Sequence, residues 1–186
     1  MFEEVINHYP DFPKPGIDFI DVLPFLQDKQ AFTATEEELD RLCTAPNVAT
    51  VEARGFLFAA PLLSGGKVQT IVLIRKNGKL PHAEGDIQRV EIEKEYGCDE
   101  VFYRRSDLAA CRRTGSVIEL TLLDDLLATG GTAMGIARAL ESETVGGCRV
   151  KVKEFVFLVE LTDLKGRALL ESIAPVRSLM QLGGTE

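Results

Sequence analysis

The sequence predicts an α/β fold: a central parallel sheet flanked by helices, with one polar two-stranded hairpin beside it. Three observations carry this expectation. Strand-like and helix-like patterns alternate along the chain, the order that yields a parallel sheet covered on both faces. Residues 68–74 and 155–159 are short apolar runs, β-branched or aromatic in character, as interior parallel strands are. A third strand-like run, residues 117–123, ends at Asp124-Asp125 and passes through a glycine-paired loop. Beyond that loop Ala133, Ile136, Ala137 and Leu140 recur at helical spacing. No repeat, low-complexity tract or linker interrupts residues 1–186, so a single domain is expected.

Composition sets the outer bounds. A chain of 186 residues can bury roughly two-thirds of its unfolded surface. Its 45% hydrophobic and 27% charged content is that of an ordinary globular protein. A net charge of −8 argues against general nucleic-acid binding, which needs Lys and Arg to neutralise phosphates. No run has transmembrane length, and the first residues lack signal-peptide order, so no membrane association and a cytoplasmic location are expected. Cys43, Cys98, Cys111 and Cys148 are scattered without a C-x-x-C spacing, which reads as reduced thiols. His8 and His82 are too isolated to suggest a metal site.

Taken in order, residues 2–8 are expected to form a short helix stopped by Pro10. Asp11-Phe12-Pro13-Lys14-Pro15-Gly16-Ile17-Asp18-Phe19 must be extended and turning, because its prolines forbid a helix. Residues 36–43 suggest a short amphipathic helix with Leu39, Leu42 and Cys43 inward. Asn47–Val51 is a brief strand. The tetrad Glu52-Ala53-Arg54-Gly55 then forms a tight turn before the almost wholly apolar residues 56–63, a buried helix. The strand at 68–74 is followed by Arg75-Lys76-Asn77-Gly78-Lys79-Leu80-Pro81, a cationic loop.

Residues 81–103 are polar and mixed in charge, with Val90, Ile92, Val101 and Tyr103 alternating as in a weakly packed hairpin. So little apolar burial predicts a segment that is mobile without ligand. Residues 106–113 form a connector. The strand at 117–123 carries Glu119 and Thr121 on one face, so that face is covered by something polar or meets a partner. Gly146-Gly147 makes a break before a strand at 150–161. Thr162 or Asp163 would cap a last helix at 164–172, and residues 175–182 are an edge strand or tail.

The acid pair and the loop after it carry chemistry. Backbone N–H groups at a helix N-terminus are unpaired and partly positive, so Ala128-Thr129-Gly130-Gly131-Thr132 suits a phosphate. Thr129 and Thr132 add hydroxyl donors, and Thr132 could also cap the helix. Asp124 and Asp125 would repel phosphate; they suit hydroxyls or a hard cation. A phosphate beside sugar hydroxyls is the combined reading, a phosphoribose cradle. A plain strand–turn–helix connection is the alternative for either pair alone. Neither a G-x-G-x-x-G pattern nor a Walker loop is present, since no Lys follows the glycines.

The ordered string Leu122-Leu123-Asp124-Asp125-Leu126-Leu127-Ala128-Thr129-Gly130-Gly131-Thr132 resembles the signature of the type I phosphoribosyltransferases. Within them it is most similar to the adenine phosphoribosyltransferases. Three further motifs extend the resemblance from Pro10 to about Leu182. The segment Asp11 to Phe19 resembles the family's N-terminal Pro-x-x-Pro-Gly segment, whose following residues help close the base pocket, which would lay Phe19 against a purine, a stacking contact of about 1 kcal/mol. In this chain Ile20 stands where the family usually has a basic residue, and Asp18 where an apolar one is common. Glu52-Ala53-Arg54-Gly55 resembles the pyrophosphate loop, with Arg54 on the ligand; a surface ion pair between Glu52 and Arg54 is the alternative. The segment Arg75 to Pro81 matches the Arg-Lys-x-Gly-Lys-Leu-Pro motif, so that Arg75, Lys76 and Lys79 would supply positive potential for a diphosphate.

Residues 81–105 resemble the flexible hood that closes over the ribose. Within it Glu95-Tyr96-Gly97 makes Glu95 the candidate general acid/base for the purine proton, the alternative being a solvated glutamate. The resemblance implies transfer of the phosphoribosyl group from phosphoribosyl diphosphate to adenine, giving AMP and diphosphate. It implies Mg²⁺ held mainly by the substrate, with no side-chain metal ligand assigned, and a homodimer. Asp124, Asp125 and Glu95 would be catalytic, and Leu126 would join the loop in binding substrate. Two rivals stay open: transfer to another nucleobase, for which Asp18 and Ile20 are the reason, and a non-catalytic phosphoribosyl diphosphate- or nucleotide-sensing protein of the same fold.

Overall fold

The computed structural model describes residues 2–94 and 97–183. Glu95 and Tyr96 lie outside the described residues. The chain opens with an antiparallel pair, β1 (Asn7–Pro10) and β2 (Asp18–Asp21), in which Tyr9 faces Phe19. The helix expected over residues 2–8 is therefore absent; pairing with β2 overrides local helical preference. A 3₁₀ turn, Leu23–Gln27, leads to α1 (Lys29–Leu42). This helix starts seven residues before the expected 36 because Asp28 caps it, its carboxylate accepting from the backbone N–H of Gln30 at 2.8 Å and of Ala31 at 3.1 Å. Its first inward positions are Ala31 and Thr35, too small or polar to register as an apolar stripe.

β3 (Asn47–Val51) falls where expected, followed by α2 (Arg54–Ala59) and a 3₁₀ turn, Ala60–Ser64. The apolar run here is not one buried helix. It tightens at Pro61, which cannot donate an intrahelical bond, and leaves Leu57 and Leu63 exposed while Phe58 and Leu62 are buried. β4 (Thr70–Lys76), β5 (Ile87–Lys94), β6 (Gly97–Arg104) and α3 (Arg105–Ala109) come next. β7 (Val117–Leu127) then enters α4 (Gly131–Glu141). β8 (Thr144–Val145) turns at Gly146-Gly147, both at positive φ, into β9 (Cys148–Leu161). A 3₁₀ turn (Thr162–Leu164), α5 (Gly166–Leu170) and β10 (Val176–Leu182) complete the chain. Neither Thr162 nor Asp163 caps α5; Lys165 holds that place in a left-handed conformation, and the Thr162 hydroxyl donates to the Leu182 carbonyl instead.

The large sheet runs β10-β9-β7-β3-β4-β6-β5. From β10 to β4 neighbours are parallel, and β6 and β5 continue the sheet antiparallel. Alternation along the central strands divides the core between two faces. Leu122, Phe155 and Phe157 point into a cluster with Ile136, Ala137 and Leu140 of α4; Leu123, Val156 and Leu158 point into one with Leu39 of α1 and Phe58 of α2. Helices on both faces of a mostly parallel sheet are thus observed.

Two expectations change here. The hairpin β5–β6 is not weakly packed: Val90, Ile92, Val101 and Tyr103 are all buried in the α4-side cluster. The Tyr103 hydroxyl donates to Glu143 at 2.9 Å, and Gly135 of α4 brings the helix close to Ile92. The alternation was visible in sequence, whereas the helix surface that receives it was not. The polar face of β7 is covered by the chain itself. Thr121 donates to the buried Glu154 at 2.7 Å, Glu154 also accepts from the Thr44 hydroxyl at 2.8 Å, and Lys153 lies 3.4 Å from Glu119. Cys43, Cys111 and Cys148 are free and buried.

Candidate active site

Parallel strands bring their carboxyl ends to one edge, and three of them end in the motifs singled out above. β3 ends just before Glu52-Ala53-Arg54, and β4 ends at Arg75-Lys76. β7 runs four residues past the expected end at 123, to Leu127, and carries Asp124-Asp125 within its last residues before the glycine loop. Their adjacency follows from register, since Thr50 pairs with both Leu123 of β7 and Leu73 of β4.

Side chains join these ends. Arg54 Nε lies 2.7 Å from Asp125 Oδ2, an ion pair in which Asp125 is only 6% exposed. The same guanidinium sits 5.1 Å from the centre of the Phe19 ring and donates to the Ile20 carbonyl at 3.4 Å. Phe19 in turn meets Phe12 edge to face. An aromatic ring, a cation and a buried acid are thus contiguous. Gly55 makes this approach possible: a Cβ there would lie 2.6 Å from Thr50 Oγ1 and 3.0 Å from Asp124 Oδ1.

Glu52 pairs with Arg75 at 2.7 Å, not with Arg54, and its other oxygen accepts from the Lys76 N–H at 2.9 Å. Arg75 also donates to the Lys79 carbonyl at 2.9 Å. One carboxylate therefore ties the cationic loop to the Arg54 turn, a role the sequence reading missed; its signal was an acid two residues before Arg54. Burial works against ionisation of Glu52, but Arg75 and the Lys76 amide outweigh it and hold its pKa below the usual value. The Lys76 and Lys79 side chains are exposed at the rim.

Asp124 behaves oppositely. Burial first, and the neighbouring Asp125 charge second, hold its carboxyl well above the usual range, with Arg54 opposing. Its Oδ1 accepts from the Asp125 N–H at 2.9 Å. A site that disfavours a second negative charge beside the first suits hydroxyl groups or nascent positive charge. Beyond the acids, the Leu126 side chain packs partly against the α1-side core. Ala128 and Thr129 form the loop proper. Gly130, at φ 81, precedes Gly131 and Thr132 in the first turn of α4. No side chain caps α4, so Thr132 does not serve as its cap, and Gly130 takes that place.

The two departures from the family pattern are also placed. Ile20 is buried in the α1-side core, and Asp18 pairs with His8 at 2.7 Å on the outer hairpin. Glu95 is the one predicted site residue outside the described residues.

Comparison with known proteins bears on all of this. No protein-family model matches the chain. Over 184 residues it is 40% identical to an adenine phosphoribosyltransferase from a Picosynechococcus strain, covering 96% of this chain and 98% of that one. The chain belongs to the adenine phosphoribosyltransferase family. Among solved structures, the adenine phosphoribosyltransferase of Thermoanaerobacter pseudethanolicus superposes with a TM-score of 0.80 at 37% identity, covering 97% of this chain and 98% of its own. That of Saccharomyces cerevisiae, solved with D-2,5-dideoxy-2,5-imino-altritol 1,6-bisphosphate and adenine, gives 0.74 at 30% identity and 96% of each chain. The adenine phosphoribosyltransferase fold accounts for the parallel strand ends that gather the motifs.

Proposed function

We propose that this chain transfers the 5-phosphoribosyl group from phosphoribosyl diphosphate to adenine, releasing AMP and diphosphate, a purine-salvage reaction. Full-length kinship to adenine phosphoribosyltransferases supports the reaction. The observation that carries the assignment of roles is the contiguity of Phe19, Arg54 and Asp125 at the strand edge that also presents the glycine loop.

Breaking the ribose C1–O bond leaves an oxocarbenium-like sugar and a highly charged leaving group, and needs no protein nucleophile. Positioning and electrostatics suffice. Arg54, Arg75, Lys76 and Lys79 would stabilise the departing diphosphate. The N–H groups and hydroxyls of residues 128–132 would hold the 5′-phosphate. Asp124 and Asp125 would take the ribose hydroxyls and face the growing positive charge. Arg54 would have to leave Asp125 and Phe19 as diphosphate and base arrive. Glu95 would carry the purine proton. Among the described residues no group of three or more His, Cys, Asp or Glu could hold a metal. Mg²⁺ would enter with the diphosphate and take most of its ligands from phosphate and water.

We further propose a single domain, a homodimer and a cytoplasmic location. A panel of nucleobases with phosphoribosyl diphosphate and Mg²⁺ tests the function. AMP from adenine, with other bases slower, is expected; turnover of a different base alone, or of none, would replace this reading with one of its rivals.

A further inference from the structure

Against the glycine loop α5 begins. Gly166 is pressed against the loop backbone: a Cβ there would lie 2.2 Å from the Ala128 carbonyl oxygen and 3.0 Å from the Thr129 carbonyl carbon. The contact is mutual, since a Cβ on Gly130 would meet the Gly166 carbonyl oxygen at 3.1 Å and Leu170 at 3.4 Å. So the start of α5 fixes where the loop backbone lies.

What fixes α5 is the next residue. Arg167 Nε donates to Glu160 Oε1 at 2.8 Å and Nη2 to Glu160 Oε2, a two-point fork, while Nη1 donates to the Val176 carbonyl at 2.6 Å. Glu160 is 3% exposed and also accepts from Ser178 at 2.7 Å and Gln181 at 3.1 Å. It sits directly beside Leu127 in the β7–β9 register, one residue before the loop. Both ends of the bracket thus rest on strands of the main sheet, and neither Glu160 nor Arg167 lies among the residues given to ligand contact.

We propose that Glu160 and Arg167 form a clamp that, through Gly166, positions the 128–132 backbone for the 5′-phosphate. The pair are positioning residues with no ligand contact of their own. The inference rests on the reading of that loop as the phosphate site. A loop that binds by backbone amides cannot adjust by swinging a side chain, so an offset of about 1 Å is costly, up to about a hundredfold.

The test uses Arg167→Lys, which keeps the charge but loses the fork, and Gly166→Ala, which must push Ala128 away. Affinity for ribose 5-phosphate, KM for phosphoribosyl diphosphate, KM for adenine and the melting midpoint are measured for each. Expected are losses on the order of tenfold in ribose 5-phosphate affinity and in KM for phosphoribosyl diphosphate, with KM for adenine changed less than about twofold, and a larger loss for Gly166→Ala. Folded variants whose melting midpoint falls while ribose 5-phosphate affinity stays put would overturn the clamp. Thr132→Val separates the two claims. If it alone weakens ribose 5-phosphate, the loop reading stands and the clamp fails; if it too leaves affinity unchanged, the loop reading fails and takes the clamp with it.

Discussion

The glycine loop at 128–132 and the cationic loop at 75–79 are both proposed to hold phosphate, yet they are built by opposite means. The first is backbone: a tight turn at Gly130, a helix start, and α5 packed against it. The second is side chains: Lys76 and Lys79 exposed on a turn, with Arg75 and the Lys76 amide tied down by Glu52. A 5′-phosphate stays bound throughout turnover and suits a rigid seat, whereas a diphosphate must leave. Exposed cations that release it easily fit that task. On the proposed roles, the difference teaches that phosphate affinity should depend on bracing at one loop and on ionic strength at the other.

The largest effect should come at the acid pair that leads into the glycine loop. Asp124→Asn with Asp125→Asn is expected to lower turnover by orders of magnitude while a cooperative melting transition persists; an active double variant would remove the acids from the reaction. Next, Gly130→Ala forces a side chain into φ 81 and against Gly166. It should cost on the order of 1–3 kcal/mol in stability and raise KM for phosphoribosyl diphosphate at any salt concentration. Glu52→Gln, which frees Arg75, should raise the same KM only several-fold, about 1 kcal/mol. Lys79→Ala should act similarly, and its effect should shrink from low to high salt because an exposed charge is screened. Equal salt dependence for Gly130→Ala and Lys79→Ala would erase the contrast.

The smallest effect on phosphate binding is expected at a control on α1, outside both loops. Glu36 of α1 has both carboxylate oxygens buried without a hydrogen-bond partner among the described residues, and burial pushes its pKa up to about 8. Its folded value lies above the model-peptide 4.5, so the folded protein holds the extra proton between those values. Stability linked to Glu36 is therefore full below about 4.5 and is lost as pH rises through about 8. Melting midpoints of the wild type between pH 5 and 9 should fall relative to Glu36→Gln, with ribose 5-phosphate affinity following in neither direction. Parallel curves for the two proteins would show that Glu36 stays ionised.

Much of this was legible in the chain. Asn47–Val51 was placed to the residue, and the helical face of α4 was read correctly, because apolar periodicity reports burial directly. The loop motifs stood out because a glycine turn that opens a helix is local in sequence. The helix start at Lys29, the tight packing of β5–β6 and the partner of Glu52 were not legible, since each depends on a residue or surface distant from the pattern being read.

By itself the sequence determined the alternating architecture, the positions of the motifs at strand ends and the absence of a dinucleotide or Walker loop, all properties of neighbouring residues. Only the tertiary structure decided that Arg54 pairs with Asp125 while Glu52 takes Arg75, and that Gly166 backs the loop from 36 residues along the chain (130 to 166). Pairing among several acids and cations of equal attraction is chosen by which strands lie side by side, and that order is a property of the sheet.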